Sequence, residues 1–261
     1  MAFEELKART AEVWSSAPWE RIAPLLSHLH QRLVAELAPG PGERFLDVAT
    51  GTGAVAFLAA REGAEATGVD LAPGLIETAR RLAAGEGLDI EFDVGDAESL
   101  PYEDASFDVV ASAVGAIFAP DHAAMGRELA RVCRPGGRLG LAAWRPETAF
   151  FPITRRYRPP PEPGQGDSDD WGREDYVRER LGKAFELRFV EGENRFAGDS
   201  AEELWDLMAT SAGPCKATLA QIEPEQAEEL HRDFVELVER HPDDGGVSLP
   251  GHYLLILGTR R

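Results

Sequence analysis

The chain predicts an α/β protein whose sheet is mostly parallel and doubly wound, with helices on both faces, and two observations carry that reading. Between Arg44 and Trp144, short apolar runs alternate with stretches of helical period, and a glycine turn joins the first run to the first of those helices. A length of 261 residues with 43% hydrophobic content suits one domain carrying an insertion.

The elements follow in order. "ERIAPLLSHLHQRLVAELAPG" places Ile22, Leu25, Leu26, Leu29, Leu33 and Leu37 at helical spacing and closes on Pro39-Gly40, so a helix precedes the first strand. "RFLDVA" reads as a buried strand, "AVAFLAARE" as a helix and "EATGVD" as a second strand. "PGLIETARRLAAGEG" is a helix opened by Pro73, and "IEFDV" is a third strand. "SFDVVASA" gives the fourth strand, "HAAMGRELARVC" a helix stopped by "RPGG", and "RLGLAAW" the fifth. The second half brings a proline-rich loop from Tyr157 to Gly172, a helix near "EDYVRERLG" and an extended run "FELRFVEGENRF". Helices near "SAEELWDLMATSAG" and over "EPEQAEELHRDFVELVERH" precede a last apolar run, "HYLLILGTR". Asp199 to Pro242 reads as a helical insertion placed to cover a site between the last two strands.

Composition excludes several classes. The formal charge of −19 opposes docking on nucleic acid or anionic membranes, and the lysines are only Lys7, Lys183 and Lys216. No apolar run reaches membrane-spanning length, and "MAFEELKARTAEVW" lacks a signal-type apolar core. With two cysteines in unrelated segments, no disulfide framework or metal cluster is expected, and a cytoplasmic location is.

The turn "GTGAVA" satisfies the G-x-G-x-x-A form of a dinucleotide fingerprint, with Asp70 about 20 residues on. Asp47 argues against a pyrophosphate there, since a carboxylate near the end of the strand suits a ligand with a cationic amine. Asp96 in "VGDAESLP" can accept from an adenine amine while the Ala97 N–H donates to a ring nitrogen. Asp47, Asp70 and Asp96 would thus face an amino-acid end, ribose hydroxyls and a base: the parts of S-adenosyl-L-methionine, which has no phosphate.

"LDVATGTG", "ATGVDLAPGLIETAR", "VGDAESLPYEDASFDVV" and "ELARVCRPGGRLGLAAW", in that order from Phe45 to Trp144, resemble the class I S-adenosylmethionine-dependent methyltransferases, in the branch similar to ubiquinone and menaquinone biosynthesis methyltransferases. The resemblance implies a Rossmann-like, seven-stranded sheet with an antiparallel last strand, for which "HYLLILGTR" is the candidate. It implies a single domain: residues 1–40 a helical cap, 41–145 the donor-binding core, and 146–261 the acceptor-side loop, insertion and last strands. The donor-binding set expected with it is Trp19, Asp47, Ala49, Thr50, Gly51, Gly53, Asp70, Leu71, Asp96, Ala97, Ala113 and Val114. No substrate-defining motif accompanies the core, so a small-molecule acceptor is expected with its methylated atom, oxygen, carbon or nitrogen, left open. Two other readings stand beside methyl transfer: a donor-binding protein of the same fold without transfer, and an NAD-dependent oxidoreductase.

A hydroxyl acceptor would profit from a base, and His122, after the loop "SAVGAIFAPD", is the candidate; the alternative is a surface residue opening the next helix. His28 and His30 point to different faces, His231 and His241 are expected in solvent, and His252 opens the last strand, buried or structural. Trp14 and Trp19 either form an aromatic wall over the site or anchor the N-terminus. Trp205 and Met208, three apart on one helical face, are expected in the core, the alternative being an apolar acceptor pocket, while "GAIFAP" is expected at the acceptor. Cys133 reads as packing, Lys216 is placed to lower the pKa of Cys215, and "GDSDD" reads as a solvated turn, with no metal expected.

Overall fold

The computed structural model describes residues 3–148, 150–157 and 161–261. Helix α1 (Glu4–Ser15) leads through short 3-10 turns at Trp19–Arg21 and Ala23–Leu26 into α2 (Ser27–Leu37). The alternating core follows as β1 (Arg44–Val48), α3 (Ala54–Arg61), β2 (Glu65–Asp70), α4 (Pro73–Glu86), β3 (Glu91–Val94), β4 (Phe107–Ala113), α5 (His122–Val132) and β5 (Cys133–Trp144). Then come α6 (Phe151–Tyr157), α7 (Glu174–Leu181), β6 (Phe185–Gly198), α8 (Ala201–Ser211), α9 (Gly213–Leu219), α10 (Pro224–Glu239), β7 (Pro242–Asp243) and β8 (Gly246–Arg260).

The strand order β3-β2-β1-β4-β5-β8-β6 is a seven-strand path in which β1 to β5 pair in parallel. β8 runs antiparallel to both its neighbours, as expected for the last strand. The two-residue β7 adds an eighth strand by pairing with the start of β8 across a turn in which Gly245 has φ 86°. The strand order reverses between β1 and β4, and an open sheet of this kind binds ligands outside the carboxyl ends of its strands at that switch point.

The central strands β1, β4 and β5 are buried because helices cover both faces, whereas the edge strand β3 leaves Val94 exposed. Leu33 and Leu37 of α2 press on β5 so closely that a Cβ on Gly140 would lie 2.8–2.9 Å from them. Phe57 of α3 meets Phe92 of β3 edge to face, with Ile76 and Ala79 of α4 in the same cluster.

Several boundaries differ from the sequence reading. The helix expected from Ile22 begins only at Ser27, after a separate 3-10 turn at Ala23–Leu26 that carries Pro24 in its first turn. "RPGG" does not stop a helix ahead of a fresh strand: β5 starts at Cys133 and absorbs those residues as an irregularity between its pairings with Phe107 and Val109. Helices α1, α6 and α9 have no counterpart in the sequence reading.

Candidate active site

Strand β1 brings Asp47 to its carboxyl end, 1% exposed. Its Oδ2 accepts from the Thr50 hydroxyl at 2.6 Å and the Ala56 N–H at 3.2 Å, while its buried Oδ1 has no partner among the described residues. Burial raises the Asp47 pKa to about 7 despite those two hydrogen bonds. The chain then turns through left-handed backbone at Ala49, Gly51 and Gly53, φ 54°, 58° and 93°. Gly53 is required for its own turn, since a Cβ there would lie 2.7 Å from the Phe57 ring. At the end of β4, Val114 is likewise left-handed at φ 56°, and Gly115 beside it packs against Ala49, where a Cβ would fall 2.6 Å from the Ala49 carbonyl oxygen. Non-glycine strain of this kind persists where the surroundings enforce it, and it gathers at ligand sites.

The β1 turn is tied to the end of β2. Asp70 Oδ2 accepts from the Gly51 N–H at 2.8 Å and Oδ1 from the Ala72 N–H at 2.9 Å; burial raises the Asp70 pKa against these bonds. Beyond β3, Asp96 Oδ1 accepts from the Glu98 N–H at 2.9 Å, and Oδ2 accepts from Lys7 Nζ of α1 at 2.7 Å. Lys7 also pairs with Glu98 and is itself buried. Burial works against the Lys7 charge, but its hydrogen bonds and attraction to the two acids prevail and hold its pKa above the ordinary value.

These strand ends open on one cavity of about 1000 Å³. Eleven of the twelve donor-set residues line it: Trp19, Asp47, Ala49, Thr50, Gly51, Asp70, Leu71, Asp96, Ala97, Ala113 and Val114. Gly53 does not; it shapes the turn from behind. The opposite walls come from α1 (including Lys7, Thr10 and Trp14), from the turn after β4 (Gly115, Ala116, Phe118, Ala119 and Pro120), from residues 161–168 of the proline-rich loop and from α9 with the residues after it (Pro214, Ala217, Thr218, Ala220 and Gln221). Trp14 and Trp19 therefore do more than anchor the N-terminus. Their ring centroids lie 5.2 Å apart, and Trp14 lies 5.6 Å from Phe118. Lys216 of α9 clasps this wall to the end of α1, donating to the Ser16 carbonyl at 2.9 Å and hydroxyl at 3.2 Å.

The histidines fall differently from expectation. His122 does open α5, but it is buried rather than at the surface and does not line the cavity. Its Nδ1 shares a 2.7 Å hydrogen bond with the Tyr176 hydroxyl, its Nε2 is buried with no hydrogen-bond partner within geometric reach among the described residues, and burial lowers its pKa to about 4. Its ring supports the proline-rich loop from behind, against Gly166. His30 lines the cavity from α2, 6% exposed, with its pKa lowered to about 4 by burial. No motif marks it; its place on the buried face of α2, in step with Leu26, Leu29 and Leu33, is the available signal. His252 is exposed on β8, and His231 stacks on Trp205 with centroids 4.9 Å apart, so neither belongs to the site. Trp205 is core, packed also on Phe234. Cys215 is no activated thiol: burial raises its pKa to about 12, and Lys216 spends its charge on Ser16. Asp167 of "GDSDD" caps the turn at Ser168–Gly172 and lines the cavity, Arg155 pairs with Asp169 and Arg173 with Asp170.

Among the described residues, no group of three or more His, Cys, Asp or Glu side chains is placed to hold a metal ion, and no helix is long and apolar enough to cross a membrane.

Comparison with known proteins agrees with this geometry. A family model for a methyltransferase domain matches residues 46–141, the segment from β1 to β5 that builds the strand-end wall. An uncharacterized protein of Mycobacterium tuberculosis is 36% identical over 99% of this chain and 96% of its own length. The demethylmenaquinone methyltransferase of Thermus thermophilus is 42% identical over 48% of this chain and 57% of its own. Among solved structures, the YcgJ protein of Bacillus subtilis shares the fold with a TM-score of 0.62 at 22% identity, covering 90% of this chain and 98% of that one. With its motif series, its sheet order and the family model matched across its strand ends, the chain carries a methyltransferase domain over residues 46–141, set in a sheet of the class I methyltransferase fold.

Proposed function

We propose that the protein transfers a methyl group from S-adenosyl-L-methionine to a small organic acceptor, leaving S-adenosyl-L-homocysteine. The observation that supports this best is the set of three acids, Asp47, Asp70 and Asp96, at the ends of three successive strands around one cavity. The residues fit the donor's parts. Asp47 Oδ1 is a buried acceptor without a partner among the described residues, suited to an ammonium reached directly or through one water. An ionised carboxylate offers about four acceptor positions. Backbone N–H groups of Gly51, Ala72 and Leu71 already bond to Asp70, and its remaining capacity suits a ribose hydroxyl. Asp96 has filled two with Lys7 and Glu98, so an adenine amine would share it with the Lys7 ammonium. Ala97 N–H makes no hydrogen bond among the described residues, as a donor to a ring nitrogen requires.

The donor supplies a methyl on a positively charged sulfur, which leaves as a neutral thioether. The chain's part is then to hold both reactants in line and exclude water. The turns after β1 and β4 fix one end of that line, and α1, α9 and the proline-rich loop close over it. Ligand pockets run to roughly 300–1,000 Å³, so a cavity at the top of that range leaves space for an acceptor beside the donor.

The lining also bears on acceptor charge. Six carboxylates face it (Glu12, Asp47, Asp70, Asp96, Glu162 and Asp167) against Lys7, Arg9 and Arg155, and each of these cations is already paired with an acid. This favours an uncharged or amine-bearing acceptor over a phosphate or carboxylate. The test is transfer of label from methyl-labelled donor to a panel of phenols, amines and carboxylic acids. Product from the first two groups is expected. Tight donor binding with no product from any class would favour a donor-binding protein without transfer.

A further inference from the structure

We propose that His30 is the general base for a hydroxyl-bearing acceptor, taking the proton from the acceptor's oxygen as that oxygen receives the methyl group. This rests on the methyl-transfer reading above.

Among the described residues, His30 is the one histidine that lines the cavity. It is almost wholly buried, and neither ring nitrogen has a hydrogen-bond partner among those residues. Buried polar groups are as a rule hydrogen-bonded, so a ring left open on a cavity wall is completed by what enters the cavity.

The course of α2 sets where this ring stands. Leu33 and Leu37 lie on Gly140 of β5, and Arg138 Nη2, two residues before Gly140, donates at 3.4 Å to the carbonyl oxygen of Ala38 just past the end of α2. α2 therefore runs against the strands, with its start toward their carboxyl ends. Gly140 pairs with Ala111 of β4. At about 1.5 Å per helical residue and about 3.3 Å per strand residue, His30 comes level with the last residues of β4, where Ala113 and Val114 line the same cavity. In the sheet order β3-β2-β1-β4, the three acids take the donor's base, ribose and amino-acid end in turn. The donor thus ends at β1, and space for an acceptor begins at the next strand end, beside His30. The cavity's other carboxylates, Glu12, Glu162 and Asp167, belong to α1 and the proline-rich loop.

In the step, a lone pair on the acceptor oxygen forms the bond to the methyl carbon, and the carbon–sulfur bond breaks with its electron pair staying on sulfur. The O–H proton passes to the free nitrogen of His30, which afterwards gives it to water. Burial holds the His30 pKa near 4, so the ring is unprotonated and ready at neutral pH. It is a weaker base than free imidazole, yet an oxygen gaining a methyl becomes a far stronger acid than imidazolium. An aromatic amine needs no such partner: it attacks through a free lone pair and sheds its proton to water after transfer.

The experiment measures initial rates with methyl-labelled S-adenosylmethionine on a series of phenols and a series of aromatic amines, for the full native chain, His30→Asn and His30→Phe. S-adenosylhomocysteine binding to each is measured by calorimetry. In both variants kcat on phenols should fall about hundredfold with KM within about threefold, amine rates should change by less than about threefold, and S-adenosylhomocysteine affinity should hold within about twofold. If the native chain uses phenols alone, the loss in kcat at unchanged KM decides. Phenol rates that do not fall, phenol and amine rates that fall together, or a native chain that methylates amines and no phenol would overturn the inference and leave methyl transfer standing. Weakened S-adenosylhomocysteine binding in both variants would also overturn it, by assigning His30 to the donor. No product from either series with donor bound would overturn the inference and the transfer reading together. Either variant decides alone if the other fails to fold.

Discussion

Asp47 shows how one residue can trade stability for binding. Its carboxyl is held near pKa 7 in the folded chain against an ordinary 3.8. A raised acid pKa means that the folded state binds this proton more tightly than the unfolded one. The contribution of the group to stability therefore falls as pH rises from about 4 to 7 and is level above that. Asp47→Asn should accordingly raise the melting temperature at pH 8, by up to about 4 kcal/mol in stability, with the gain vanishing near pH 4. Because the variant also removes a charged partner for the ligand's ammonium, it should weaken S-adenosylhomocysteine binding more than about tenfold. In the native chain, affinity should decline from pH 8 to pH 6 as Asp47 takes up its proton and loses its hold on an ammonium; a flat profile would remove Asp47 from the ligand. At this scale the acids were legible because strand-end position alone gives each a task. Lys7 and His30 were not, because their roles depend on which helix face meets the cavity, and His122 looked exposed because the aromatic group that buries it, Trp171 and Tyr176, lies about 50 residues on.

Among the elements that line the cavity, α1 is held to a large extent by polar contacts. Lys7 is its one fully buried residue, so its docking depends on the ion pairs to Asp96 and Glu98, on Ser15, whose hydroxyl accepts from the Gly74 N–H at 3.2 Å, and on the Lys216 clasp at Ser16. Lys7→Met would leave two acids facing each other, and amide exchange over residues 4–15 should accelerate at least about tenfold while the sheet stays protected. Exchange rising equally throughout would mean that α1 belongs to the global unfolding unit. Helix α8 gives a simpler check: Ser200 caps it by accepting from the Glu203 N–H at 3.1 Å, and Ser200→Ala should cost about 1 kcal/mol in denaturant unfolding. The five alternating strands were readable because apolar runs and helical periods punctuate each other. α1 escaped notice because its apolar residues make only a weak stripe, α9 because seven residues opened by Gly213-Pro214 look like a turn, and β7 because two residues carry no period.

For the whole molecule, the parallel sheet follows from the strand–helix alternation and its antiparallel last strand from the family resemblance, whereas the closure of the cavity follows from neither. The lid is assembled from α1, the proline-rich loop and α9, which are far apart in the chain and join only through contacts such as Lys216 with Ser16. The charge of −19 is a property of the same scale: screening its self-repulsion should raise the melting temperature between 0.05 and about 0.5 M salt, and a fall would show that local ion pairs dominate instead. Binding of a sulfonium donor by the three strand-end acids, and not of a dinucleotide, gives the protein a distinct ligand preference. It is tested most directly by calorimetry of the native chain and of Asp70→Ala with S-adenosylhomocysteine, and with NADH in parallel. One site with affinity on the order of micromolar for S-adenosylhomocysteine, lost in Asp70→Ala, and no heat from NADH is the expected result. Binding of NADH, or no binding of S-adenosylhomocysteine by the native chain, would contradict it.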